Sequence, residues 1–217
     1  MPRDTIKLEI MESAYVFAPS EIEVLDTKKL VSKMMIRRRL TRASKIAIYL
    51  SSEVNFSKGR IVYGSSFGEL PSTASILDAI SDKESISPTH FQNSVYNTAI
   101  SYLSILNENE EELLTISSGD KTALNVLKAG AIKALDGDTL LLLLTETLNI
   151  EGIEKVNTCE QYLECGVALK VRLSHAEPTL QYSENKDDKK VPSSIRLMLN
   201  IAKQCHVGKT NIVEVKL

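Results

Sequence analysis

Along this chain apolar residues recur at one of two intervals, and where the interval changes an element ends. Ile6, Leu8 and Ile10 alternate with polar residues, the period of a strand with one face on a core. After the turn signal Pro19-Ser20 a long helical stretch is expected, broken near Arg37-Arg38-Arg39-Leu40-Thr41. Its second part, with Thr41 as a cap, places Ala43, Ile46, Ala47, Leu50 and Val54 on one stripe, although Ile46-Ala47-Ile48-Tyr49-Leu50 alone also suits a strand. Lys58-Gly59 turns the chain into a short buried strand from Arg60 to Tyr63. Glycine and serine dominate Gly64 to Gly68. Pro71 then suits the first turn of a helix reaching about Ile80, because its missing N–H has no partner to lose there. Ser87-Pro88 opens another helix, with Val95, Ala99, Tyr102 and Leu103 on its apolar face. Leu113-Leu114-Thr115-Ile116 reads as a strand. Asp120 or a neighbour is expected to cap the next helix, whose stripe is Leu124, Leu127, Ala131, Ala134 and Leu135 and which Asp136-Gly137-Asp138 ends. Leu140 to Leu144 is a central strand buried on both faces. Val167, Leu169, Val171 and Leu173 alternate as a further strand. Ser183 to Lys190 is polar and charged, a surface loop. A short helix (Ser193 to Cys205) and a strand (Asn211 to Leu217) close the chain.

Strands alternate with helices through the middle of this pattern, which predicts an α/β fold: a mostly parallel sheet flanked by helices on both faces. Composition narrows the function classes. The 217 residues, 43% of them hydrophobic, suffice for one sizeable domain, alone or with an appendage. A formal net charge of -2 gives no reason to expect nucleic acid or an anionic membrane as the main partner. The absence of Trp, with 5% aromatic residues, argues against a base-stacking platform. No Lys/Arg-headed apolar segment opens the chain, and the run Leu140 to Leu144 is too short to span a bilayer. Cys159, Cys165 and Cys205 are odd in number and lack metal spacing, so a cytoplasmic location is expected.

Gly64-Ser65-Ser66-Phe67-Gly68 matches G-x-S-x-G, the turn on which hydrolases carry a nucleophilic serine between a strand and a helix. In that reading Ser66 attacks a carbonyl, with a carboxylate and then His175 or His206 as partners. The competing reading is a small-residue turn that permits positive φ and close packing. No metal or cofactor is expected: His90, His175 and His206 lie apart from one another and from the cysteines. Gly119-Asp120-Lys121-Thr122 lacks the first glycine and the G-K-[ST] order of a phosphate loop. Arg37-Arg38-Arg39 is read as a solvated face, an intrachain ion pair or a contact for an acidic carrier protein.

Four stretches together resemble the β-ketoacyl synthase-like N-terminal family, in particular its short chain-length-factor-like members from aryl polyene pathways. They are Arg37-Arg38-Arg39-Leu40-Thr41; Val62 to Leu70 with Ile76-Leu77; Ile86 to Ala99 with Leu103-Ser104-Ile105; and Ile116-Ser117-Ser118-Gly119-Asp120 followed by a helix and Asp136-Gly137-Asp138. The resemblance covers about residues 1–175. It implies one of the two related halves of a thiolase-like fold, residues 1–175, with residues 176–217 as an extension packed on the same domain.

In an active ketosynthase a cysteine stands between the strand matching Leu113–Ile116 and the helix matching Ala123–Leu135. A helix N-terminus stabilises its thiolate, which takes the acyl chain. Here that elbow reads Ser117, Ser118, Gly119, Asp120, Lys121, without cysteine. The family's two catalytic histidines belong to the second half, before which this chain is expected to end. The resemblance therefore implies a noncatalytic subunit paired with a catalytic β-ketoacyl synthase, shaping its acyl-chain pocket, with acyl carrier protein as the shared client. The family's tunnel is lined by the helix before the elbow, about Pro88 to Leu106 here, so Phe91, Val95, Asn97, Thr98 and Tyr102 are the pocket candidates; core packing is the alternative for Val95 and Tyr102. A half-domain is also expected to leave apolar surface for a partner. A serine hydrolase acting through Ser66 is the second reading, and a structural protein with no pathway role the third.

Overall fold

The computed structural model describes residues 5–155, 161–182 and 190–217. Cys159 and all but the last residue of the predicted loop Ser183–Lys190 lie outside them.

A six-stranded sheet of order β3-β2-β4-β5-β1-β6 organises the chain. β2 (Ile61–Gly64) runs parallel to β3 (Leu113–Ile116) and to β4 (Leu140–Thr147). β5 (Glu164–Ser174) is antiparallel to β4 and to β1 (Thr5–Ala18), and β6 (Asn211–Lys216) is antiparallel to β1. The expectation of a mostly parallel sheet is corrected here to a mixed one. Parallel neighbours need a crossover. The chain supplies crossovers between β2 and β3 and between β3 and β4, where helices intervene. Between β4 and β5 the described residues hold only a 3-10 turn, Ile153–Lys155, and β5 runs back antiparallel.

The first helical stretch is two single turns, α1 (Thr27–Leu30) and α2 (Met34–Arg37), rather than one helix. The Arg37 guanidinium donates to the carbonyls of Val31 at 2.6 Å and Ser32 at 2.8 Å, satisfying backbone acceptors at the break. α3 (Arg42–Glu53) then starts as its sequence predicts: the Thr41 hydroxyl accepts from the Ser44 amide at 3.1 Å, and Ala43, Ile46, Ala47, Leu50 and Val54 are all buried.

β4 buries all eight of its residues because both faces of the sheet are covered. Leu140, Leu142 and Leu144 join one core with α7 (Thr122–Ala134) and α8 (Ser193–Gln204). Leu141 and Leu143 join the other, with α3 and α6 (Thr98–Asn107). Ile195, Met198, Leu199 and Ile201 of α8 enter the first core, and β6 pairs with the start of β1.

One flank remains open. β3 ends the sheet and none of its residues is fully buried. α4 (Leu70–Ser81) buries no residue at all, leaving Leu77 60% and Ile80 57% exposed; on α5 (Pro88–Asn93) Phe91 is 68% exposed. Among the described residues no helix is long and apolar enough to cross a membrane.

Candidate functional site

The carboxyl ends of β2, β3 and β4 meet at the turn after β2. A Cβ on Gly64 would stand 2.4 Å from Leu144 and 2.8 Å from Thr122, so a glycine there is what lets α7 begin against the end of β2. The turn that follows is held from beneath by Glu146 of β4, which is 1% exposed. The Glu146 carboxylate accepts from the Ser66 amide at 2.7 Å, the Ser65 hydroxyl at 2.9 Å, the Phe67 amide at 3.3 Å and the Ser194 hydroxyl at 2.6 Å. Burial pushes this carboxyl above the usual carboxylate range, and the four donors oppose the shift. The Gly68 amide donates to the Ser65 hydroxyl at 2.9 Å, closing the turn on itself.

This arrangement places a carboxylate on Ser65 and on the backbone of Ser66, not on the Ser66 hydroxyl. Among the described residues no histidine hydrogen-bonds to either serine. A serine nucleophile needs a base within hydrogen-bond reach, so the geometry favours the small-residue reading of Gly64–Gly68 over the hydrolase reading.

Opposite the turn lies the elbow. The Ser117 hydroxyl donates to the Ser66 carbonyl at 3.4 Å, and the Ser118 amide donates to the Thr122 hydroxyl at 3.0 Å. Thr122 in turn donates to the Gly119 carbonyl at 2.7 Å across the 3-10 turn Gly119–Lys121. Asp120 is thus not the cap of α7: its carboxylate is exposed and accepts from the Ser193 hydroxyl at the start of α8, while Thr122 binds the elbow backbone. Lys121 is exposed and makes no side-chain cap. Cys165 is buried on β5 and Cys205 half-buried after α8, so neither stands at the N-terminus of α7. Among the described residues no group of three or more His, Cys, Asp or Glu could hold a metal ion.

The helix expected from Pro88 to Leu106 is two helices, α5 and α6, joined by 94–97. The buried Asn93 makes the break: its carbonyl accepts from the Thr98 hydroxyl at 3.3 Å and its side-chain oxygen from the Tyr102 hydroxyl at 3.4 Å. Thr98 is buried and Tyr102 half-buried around Asn93, whereas Phe91, Val95 and Asn97 are exposed. The structure brings Thr98 and Tyr102 together and leaves the other three on the open flank.

Sequence reasoning did not single out three residues here. Glu146 follows the apolar run Leu140–Leu144, between Thr145 and Thr147, as the one charged residue of β4. Tyr96, whose hydroxyl donates to the Ser66 carbonyl at 3.3 Å, carried no such signal. Glu69, 4% exposed beside the turn, accepts from the Thr41 hydroxyl at 2.7 Å, and burial pushes its carboxyl up to about 7.

Comparison with solved structures returns the same fold. A chain from the complex of the ketosynthase ApeO with its chain length factor ApeC from Xenorhabdus doucetiae superposes with TM-score 0.71 at 20% identity, over 92% of this chain and 93% of that one. The ishigamide ketosynthase/chain length factor gives 0.58 at 13% identity, over 79% of this chain and 57% of that one. An AntDE:AntF complex, a type II PKS acyl-carrier protein with its ketosynthase bound to the hexaketide, gives 0.51 at 12% identity, over 77% and 58%. No curated protein matches. The family model for the beta-ketoacyl synthase N-terminal domain matches residues 14–213, through the turn, the elbow and α8 alike, and the chain belongs to that family.

Proposed function

We propose that this chain is a noncatalytic, chain-length-factor-like subunit that pairs with a catalytic β-ketoacyl synthase and shapes its acyl-chain pocket. The observation that carries the reading is the elbow before α7. A thiolate is favoured at a helix N-terminus by the unpaired amides and the dipole there. This chain instead places Ser117, Ser118, Gly119, Asp120 and Lys121 at that point, with the Asp120 carboxylate engaged by Ser193. An unassisted serine hydroxyl is a weak nucleophile, and a neighbouring carboxylate opposes a second negative charge.

The open flank supports a protein partner. α4 and α5 expose Leu77, Ile80 and Phe91, Ile86 and Val95 beside these helices in the chain are exposed as well, and β3 is an edge strand of the sheet. Apolar area and a free strand edge of this kind are removed from water by association. Phe91, Val95 and Asn97 lie exposed on this flank, Thr98 and Tyr102 pack around the buried Asn93, and we assign to the five the lining of the chain pocket shared with the synthase. The fold likeness to the ApeO–ApeC complex and to the ishigamide ketosynthase/chain length factor supports the reading of this chain as a partner of a synthase. Aryl polyene or fatty-acid-like synthesis in the cytoplasm is the corresponding setting.

A second surface suits the acidic client. Residues 27–41 contain Lys28, Lys29, Lys33, Arg37, Arg38 and Arg39 and no acid, while the whole chain carries -2, leaving -8 for the remainder. Arg37 is spent on the α1–α2 break. Lys28, Lys29, Lys33, Arg38 and Arg39 are exposed and form no ion pair among the described residues. This segment is positioned to meet acyl carrier protein.

Co-expression with a full-length β-ketoacyl synthase from the same organism tests the proposal. The expected result is a stable pair on size exclusion that extends a carrier-bound acyl chain, with neither acylation nor extension by this chain alone. Self-acylation and condensation by the isolated chain, or failure to associate with any such synthase, overturns it.

A further inference from the structure

We infer that Glu146 is a positioning residue: it fixes the backbone of Ser66 and Phe67, and through it the seat of Tyr96, on the flank assigned above to the synthase. The inference rests on that partner reading. Its basis is the direction of the hydrogen bonds. Of the amides of Ser66, Phe67 and Gly68, the first two donate to Glu146 directly and the third reaches it through the Ser65 hydroxyl. On the outward side, the Ser66 carbonyl receives Tyr96 from the α5–α6 link and Ser117 from the elbow. Two segments distant in sequence are therefore registered on one peptide unit of the turn, and that unit is registered on one carboxylate.

A buried carboxylate is a poor way to stabilise a strand, since an apolar residue of similar volume does so without desolvating a charge. It is a good way to hold two amides that can only donate. Serine hydroxyls can reverse their bonds, but the Ser66 and Phe67 N–H groups cannot. Glutamine in the same place offers one carbonyl and a competing NH2, so Glu146→Gln keeps the volume and loses acceptors.

Two serines separate positioning from bulk stability. Ser65 binds Glu146 from the turn itself, and Ser194 binds it from α8. In Glu146→Gln and Ser65→Ala we expect amide hydrogen exchange at 66–68 to quicken at least about tenfold while Leu141–Leu144 keeps wild-type protection, and the Kd for the synthase to rise about tenfold. In Ser194→Ala both quantities stay within about twofold, although the melting temperature falls. Unchanged exchange at 66–68 in Ser65→Ala, or equal effects of Ser65→Ala and Ser194→Ala, overturns the inference; these two variants decide it even where Glu146→Gln does not fold. Failure of the wild type to pair strikes the partner reading alone, and the exchange comparison then decides the role of Glu146.

Discussion

Tyr96 lies so close over Gly68 that a Cβ on that glycine would stand 3.1 Å from the aromatic ring. Gly68 also holds φ +60, a conformation that costs an L residue roughly 1–2 kcal/mol. Gly68→Ala therefore meets backbone strain and ring contact together. We expect the melting temperature to fall by about 3–6 °C for a chain of this size. The same substitution in a Tyr96→Ala background should cost less, because only the backbone strain remains. Thermal unfolding of the two single variants and the double variant measures the difference; equal costs in both backgrounds remove the ring contact from the account.

Glu69 makes stability depend on pH. Its carboxyl is pushed up to about 7 by burial, with the Thr41 hydroxyl pulling the other way. The folded state then binds a proton that the unfolded chain releases at ordinary carboxylate pH. The contribution is fully present below that ordinary range and is lost as pH rises through about 7. The wild type should lose stability relative to Glu69→Gln between about pH 5 and pH 7, by at most about 1.4 kcal/mol per pH unit. Urea unfolding of both proteins across this window gives the difference, and parallel curves refute the assignment.

What the sequence revealed and what it hid follow from the range of the interactions. The α3 stripe and its Thr41 cap were legible because both are set by neighbours three or four positions away. The buried strand Leu140–Leu144 was legible because covering both faces leaves a continuous apolar run. The break at 94–97 was not, because it depends on Asn93 being satisfied by Thr98 and Tyr102 rather than on a proline or glycine. Asp120 was misassigned for the same reason. A capping residue is recognised by type, yet Asp120 is claimed by Ser193, a residue of the last helix. The antiparallel half of the sheet was equally hidden, since alternation in β5 defines faces but not direction. At the site itself the two motifs, turn and elbow, were visible, and the carboxylate that holds the turn came from a third strand.

The pocket assignment predicts a change in product rather than in rate. Phe91 is exposed and makes no side-chain hydrogen bond, so Phe91→Ala should leave stability within about 0.5 kcal/mol. Tyr102→Ala removes a half-buried ring and its bond to Asn93 and should cost about 2–4 kcal/mol. Paired with the synthase, both variants should lengthen or broaden the distribution of acyl chains, because removing bulk from a closed pocket admits further methylenes. Mass spectrometry of carrier-bound products reads this directly. Unchanged products from both variants exclude these two residues from the pocket.

The basic segment predicts the opposite separation, an effect on carrier use without one on folding. Arg38 and Arg39 are exposed and form no ion pair among the described residues, so reversing both charges breaks no ion pair there. Substitutions at such positions change stability by no more than about 0.5 kcal/mol each. Two cations facing an acidic partner act through a screened field that decays over about 8 Å at physiological salt. The Arg38→Glu/Arg39→Glu variant should therefore keep its melting temperature and its pairing with the synthase while raising the apparent KM for acyl carrier protein about tenfold at low salt. The gap to the wild type should narrow as salt is added, since screening weakens the wild-type attraction and the variant's repulsion together. A gap that persists at high ionic strength would point to a lost packed contact, and an unchanged KM at low salt would remove the α1–α2 segment from the path of the carrier.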